Sequence, residues 1–382
     1  MTRERWLAGC LGFCVLLAST SALAGAWPIT QITTSGFDKR NLVVDGPMVA
    51  WTEQPSLGSD TDVFVYEGAG ITRLTDDTLN DEGLHAAGGT LAWAKGFGTY
   101  NEIMTYRGGT ITTITDNGSI TSYPETSGTY VTWTSNNDLY VYDGTTVRNV
   151  TDDSTTDMHA SISGSTVVWS RSGPSNYEIH SYDVETSAIL KLTDMTRWCF
   201  RPHASGLNVV WAAQQRSGSW PDDLFYRDAG GGVTQLTYHS GPDSALEASI
   251  SGKRVVWVGT DGNDEEAFCF DADTGIVTNL TDNDTNTEYY VAIDGDLVVY
   301  NSPDAAGHDD EIFLYNAATG VTMQLTDNDY HDRMPRISGN TVAWIGDTGT
   351  YAQEVFMTVV PEPATLALVA VGLAAVLARR RG

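Results

Sequence analysis

The feature that most constrains this chain is an internal repeat. An apolar pair followed by an aromatic returns eight times: Val49-Ala50-Trp51, Leu91-Ala92-Trp93, Val131-Thr132-Trp133, Val167-Val168-Trp169, Val209-Val210-Trp211, Val255-Val256-Trp257, Val298-Val299-Tyr300 and Val342-Ala343-Trp344. Thr132 is the single polar residue in the pair, and successive aromatics stand 36 to 46 residues apart. A unit of that length is one supersecondary element that cannot bury its own apolar face. Neighbouring units must therefore cover one another, as in propellers and other repeat folds.

Each unit holds four short runs rich in β-branched and aromatic residues, separated by Gly, Asp, Asn and Ser. These are strands joined by hairpins. The first run ends in a turn such as Asp45-Gly46 or Ser163-Gly164, and the second carries the aromatic. The third opens with an acid, as in Asp62-Val63-Phe64-Val65-Tyr66, and the fourth ends in an apolar–Thr pair, as in Leu74-Thr75-Asp76. No long segment between the chain ends has a helical period. The pattern predicts an all-β propeller of four-stranded blades over residues 28–358. Residues 29–33 are a fourth-type run, whereas the last unit stops after its third. Pairing the two gives eight blades and removes two open sheet edges. Seven blades with one unit outside the ring is the alternative. The Trp column is expected to pack between blades as an apolar belt, where truncating one Trp to Ala costs about 3–5 kcal/mol.

The two ends read as addresses. Residues 1–24 combine a basic start, an apolar run and a small-residue stretch ending Ala22-Leu23-Ala24. This is the form of a secretory signal, cut after Ala24 or Ala26. At the other end, residues 360–382 run Val360-Pro361-Glu362-Pro363, then an apolar segment over 364–378, then Arg379-Arg380-Arg381. As a helix, 15 residues span about 22 Å, short of a hydrocarbon core of about 30 Å. Terminal arginines stay cytoplasmic and leave the preceding chain outside. A plain membrane anchor fits this tail. The order of Pro-Glu-Pro, apolar helix and Arg cluster also resembles the PEP-CTERM sorting signal of Gram-negative bacteria. That resemblance implies an exosortase-type processing protease as partner, anchoring in the inner membrane through the helix, and delivery to the envelope or extracellular matrix.

The repeats themselves resemble the TolB-type propeller unit, and more loosely the WD-type unit. The likeness rests on the Leu-Thr-Asp strand end, the turn before the aromatic strand, and acid-apolar-aromatic strands such as Asp138-Leu139-Tyr140. It covers nearly all of residues 28–358. The Trp-Ser-Pro-Asp-Gly run of the TolB pattern is missing, and Ser-Gly mostly replaces it. The resemblance implies a rigid platform for proteins or glycans and does not imply a reaction.

Charge and chemistry narrow the function. The chain carries a formal charge of −28. Without Arg3, Glu4, Arg5, Glu362 and the three terminal arginines it carries −31. Nucleic acid is not an expected partner, because phosphate contacts need clustered Lys and Arg. Acids head the third strand of all eight units and are read as architecture. The loops after the fourth strand and between the second and third share one rim. That rim is expected to present an acidic face that includes Asp76, Asp81, Asp157, Asp261, Asp264, Asp309, Asp310 and Asp332. Asp282, Asp284, Asp327 and Asp329 have Asp-x-Asp spacing, which suits Ca²⁺ and suits ordinary turns equally. No other cofactor is expected. Trp198, Arg201, His203, Trp220, His239, Tyr289, Tyr290, His331 and Arg333 are the candidate ligand-binding residues, since the segments around 198–203 and 330–333 read as irregular rim loops. Cys199, read as loop, and Cys269, in a strand, fall in different repeats, so no disulfide is expected. No Gly-x-Ser-x-Gly elbow, phosphate loop or dinucleotide fingerprint is present. No catalytic residue is assigned. The leading expectation is an exported, non-enzymatic binding or scaffold module for envelope proteins or polysaccharide. The alternatives are a carbohydrate-active lyase or hydrolase and a structural surface-layer component.

Overall fold

The computed structural model describes residues 27–361, except 55, 57–58, 98–99, 116–122, 195, 215–221, 239–247, 283–289, 304–308 and 350–351. Eight separate four-stranded antiparallel sheets are present, and the described residues contain no helix. Blade 1 runs Asp38–Asp45, Met48–Gln54, Asp62–Tyr66 and Ile71–Arg73 in spatial order. First strands of successive blades abut one another all the way round, blade 8 against blade 1 included. The first strands therefore form the inner wall of a closed ring. Blade 8 is built from Asp332–Ser338, Thr341–Gly349 and Ala352–Val359, and its outer strand is Thr30–Gln31 from the other end of the chain. Thr30 pairs with Met357 and Gln31 with Phe356. The expected closure is present, with a shorter strand than the sequence suggested.

Three repeated contacts explain why this sequence makes blades. The second-strand aromatic sits opposite a third-strand partner, and the two stack: Trp51 on Phe64, Trp133 on Tyr140, Trp211 on Phe225, Trp257 on Phe268, Tyr300 on Phe313 and Trp344 on Phe356. Ring centroids lie 5.5–6.0 Å apart, as offset stacking requires. All eight aromatics are buried. The belt is not purely apolar, since the Trp93 and Trp169 indoles donate to buried Asp81 and Asp157, each at 2.7 Å.

The second contact is the Thr of the fourth-strand pair. In every blade its hydroxyl accepts the backbone N–H of the residue after the third-strand acid, at 2.8–3.1 Å. In blade 8 the acceptor is Thr33 and the donor Val355. The same hydroxyls meet the acid in several blades, as Thr115 does Glu102 at 2.6 Å. The recurring acids are thus architecture.

The third contact explains the Ser-Gly and Asp-Gly turns. The side chain before one hairpin glycine accepts the N–H of the glycine in the next blade, at 2.6–3.1 Å. The pairs are Asp45 with Gly89, Ser163 with Gly206, Ser205 with Gly252, Ser251 with Gly295, Asp294 with Gly339 and Ser338 with Gly46. The last pair again joins blade 8 to blade 1. Glycine is required where the hairpins of blades 2 and 3 meet. A Cβ on Gly128 would sit 2.9 Å from the Gly88 Cα.

Cys199 lies in a strand, Trp198–Ser205, and not in a loop. Cys199 and Cys269 are both buried and free. Burial pushes their thiols up to about 12 and about 11 respectively.

Candidate functional site

The inner strand carries the irregularity. The register slips in the first strands of blades 1, 2, 4, 5 and 8. At each slip one residue takes a left-handed backbone: Asn41, Gly83, His159, Arg201 and Met334. These are β-bulges, which re-aim side chains and bend strands. Asn41, His159 and Arg201 are exposed although they sit on the innermost strand, so they face the axial channel. Tyr290 and Tyr123 occupy the same position in blades 7 and 3. Tyr123 lies over Gly83, where a Cβ would come within 2.2 Å of its ring, and its hydroxyl donates to Glu82 at 3.0 Å. Beside it, Asn80, Glu82, Ala94, Gly96 and Asn101 line a polar recess of about 200 Å³.

Blades 4 and 5 form an aromatic ledge. Tyr177 meets Trp198 edge-on at 6.0 Å and Phe200 at 5.2 Å, and Trp198 meets Phe200 edge-on at 6.2 Å. His159 meets Phe200 edge-on at 6.5 Å. Trp198 keeps 36% of its surface exposed. Surrounding protein lowers the pKa of His159, and nearby Arg201 and His203 lower it further. The ledge is thus an exposed apolar edge beside two imidazoles and a guanidinium.

The candidate residues divide accordingly. Trp198, Arg201 and His203 belong together, but on the bulged inner strand of blade 5 and not on a rim loop. A rim loop would have left their backbone unpaired; instead Trp198 to Ser205 pairs with Gln214 to Asn208 around the bulge. Tyr290 stands two blades away. His331 and Arg333 lie on blade 8, separated from blade 5 by two intervening blades. Arg333 pairs with Asp310 at 2.7 Å, and the His331 Nδ1 accepts the Asp310 N–H at 3.0 Å. The sequence missed His159 and Tyr177, which reach the ledge from blade 4, while Phe200 shares the strand of Trp198 and Arg201; the repeating bulge position is the signal that finds His159. Trp220, His239, Tyr289 and Asp284 lie outside the described residues, as do Ala22, Ala24, Glu362, Pro363, the apolar segment 364–378 and the three terminal arginines. Among the described residues no helix is long and apolar enough to cross a membrane.

The acidic face also needs correction. Asp81, Asp157, Asp309, Asp310 and Asp332 are buried in or near blade junctions and are not displayed to solvent. Burial pushes Asp81 up to about 6, and Asp332 and Glu311 up to about 7. Asp76, Asp282, Asp327 and Asp329 are exposed.

Comparison with known proteins agrees with this architecture. The PEP-CTERM protein-sorting motif matches residues 359–381. No curated protein matches the chain. Among solved structures, the β-propeller domain of the Trilobed protease from Pyrococcus furiosus, described as having an open velcro topology, superposes with a TM-score of 0.53 at 9% identity, covering 85% of this chain and 94% of that one. An oligogalacturonate lyase from Vibrio parahaemolyticus gives 0.52 at 12% identity, covering 85% and 99%. A prolyl endopeptidase gives 0.56 at 11% identity, covering 82% of this chain. This chain spans about half of that enzyme, 55% of its length. At these identities the likeness is one of fold. The chain is an eight-bladed propeller carrying a PEP-CTERM sorting motif, which marks it for export and for anchoring in a membrane before exosortase-type processing.

Proposed function

We propose that this is a surface-associated, non-enzymatic binding module of a Gram-negative envelope or its extracellular matrix, and that its ligand is a polysaccharide or a protein of that layer. The observation that carries the reading is the ledge of Tyr177, Trp198 and Phe200, with Trp198 partly exposed beside Arg201, His159 and His203. Sugar rings stack on aromatic faces, and imidazole and guanidinium groups supply the hydrogen bonds that orient them. The ring stitched at three levels supplies the rigidity that keeps such a ledge preformed. A lyase or hydrolase reading needs its acids and bases to converge. His203 and His331 stand on separate blades, which favours binding over chemistry. The test is a glycan array probed with the full-length protein in detergent. Binding that Trp198→Ala weakens at least tenfold supports the proposal. Product formation from a bound oligosaccharide would replace it with the enzymatic reading.

A further inference from the structure

We propose that blade 6 carries a Ca²⁺ site formed by Asp261, Asp264 and Glu266. The three residues lie at the turn between the second strand, Arg254–Thr260, and the third, Glu265–Asp271. They offer one carboxylate oxygen each, and these oxygens lie within 4.8 Å of one another. Two oxygens on opposite sides of a Ca²⁺ ion, each at about 2.3–2.6 Å, are separated by about 5 Å, so this spacing fits a shared ion.

Acidic turns are common on this face, and proximity alone would not single this one out. The separate observation is Asp264. Both of its carboxylate oxygens are sealed from solvent and neither has a hydrogen-bond partner. A sealed carboxylate without a donor is costly, and native structures supply one or bind a cation. Glu266, directly beside it, is fully buried and takes a hydrogen bond from the Thr281 hydroxyl.

The turn is shaped to hold an ion and to admit one. The Gly262 N–H donates to Thr260 Oγ1 and the Asn263 N–H to Asp261 Oδ1, each at 2.9 Å. Asp261 is exposed, giving an entry side, while Asp264 and Glu266 close the inner side. Three hard oxygen donors leave positions for water and backbone carbonyls, which suits the six to eight ligands of Ca²⁺ better than the strict octahedron of Mg²⁺. The site is distinct from Asp282, Asp327 and Asp329, which are exposed turn residues.

The test is calorimetric titration of CaCl₂ into chelator-treated full-length protein, with thermal melts in parallel. The expected result is binding with a Kd of about 0.1–1 mM, the range of extracellular modules, and a higher Tm in 10 mM Ca²⁺ (roughly ten times the Kd or more) than in equal Mg²⁺. Asp264→Asn is expected to weaken Ca²⁺ binding at least tenfold without lowering the Tm of the metal-free protein, since it removes an unpaired buried charge. Asp261→Asn, at an exposed position, repeats the test without risk to folding, and Asp282→Asn is expected to bind as the parent does. Absence of Ca²⁺-dependent heat and Tm shift, or a Kd unchanged in both Asp264→Asn and Asp261→Asn, overturns the proposal.

Discussion

The junction that closes the ring carries a buried cation where blades 2, 4 and 8 carry a buried carboxyl. Between blades 1 and 2 the inner-strand residue is Asp81, fully buried, holding the Trp93 indole and facing the third-strand acid Asp62 across Thr75. Asp157 and Asp332 hold the same place in blades 4 and 8, and Cys199 in blade 5. Between blades 8 and 1 that place belongs to Lys39. Its ammonium is sealed from solvent, 3.5 Å from Glu53 and 3.4 Å from Glu354. It donates to Ser35 Oγ at 2.8 Å, to the Phe37 carbonyl at 3.0 Å and to the Gln353 carbonyl at 2.7 Å. Glu354 in turn accepts the Thr33 hydroxyl and the Gly36 N–H. The reason lies in connectivity. Inside other blades, hairpins join all four strands, whereas Thr30–Gln31 reaches blade 8 only through non-covalent contacts along two paired residues. A buried lysine between two glutamates adds a clamp where the chain supplies no link.

The largest effect should come from breaking that clamp. Lys39→Met leaves Glu53 and Glu354 buried without their cation, and removing one partner of a buried ion pair costs about 3–5 kcal/mol. Urea unfolding reads the loss directly; a change below about 1 kcal/mol would mean the junction tolerates it as a surface site does.

Next comes the threonine. Thr33→Val and Thr75→Val each strand one buried backbone N–H, at about 1–3 kcal/mol. The closing junction should lose more, because the Thr33 hydroxyl bonds Glu354 closely whereas Thr75 reaches Asp62 only at 3.4 Å. Equal losses would mean that closure draws no extra stability from this residue.

The buried carboxyls separate the junctions by pH. Burial raises Asp81, Asp332 and Glu311 above their ordinary values. The folded protein therefore binds more protons than the unfolded chain between about pH 4 and 7, and stability increases as pH falls through that window. Asp143, Asp153 and Asp183 are held low, chiefly by hydrogen bonds from Thr146, Thr155 and Thr186. Their contribution is present above the unfolded pKa and is lost below about pH 4. Melts across pH 3–8 should peak between these ranges, and Asp332→Asn should flatten the limb above the peak.

The smallest effect belongs to Cys199→Ser. The thiol lies 3.8 Å from the Arg197 carbonyl, an acceptor that a serine hydroxyl can use as well. A change within about 1 kcal/mol is expected. Thiol reagents should label neither Cys199 nor Cys269 until the protein unfolds.

Much of this architecture was legible because each contact is local to the repeat. The aromatic, its strand position and the terminal Thr recur at fixed places, so blade number and closure followed from phase. The contacts between repeats were not legible. Ser163 and Gly206 read as turn residues; that one binds the other depends on the neighbouring blade. Lys39, flanked by Asp38 and Arg40, reads as a surface charge, since its carboxylate partner Glu354 is far away in sequence. The ledge was half legible. Trp198, Arg201 and His203 stood out by composition, but the bulge that places them on an inner strand left no mark in one segment taken alone.

The central claim is that residues near the N-terminus complete the last blade. Residue-resolved amide hydrogen exchange tests it most directly at Ile32, whose N–H donates to the Val355 carbonyl at 2.8 Å. The account predicts that the Ile32 amide exchanges about as slowly as that of Ile312, which donates to Thr326 inside blade 7. Exchange of Ile32 at the rate of an unstructured peptide, with Ile312 still protected, would contradict it.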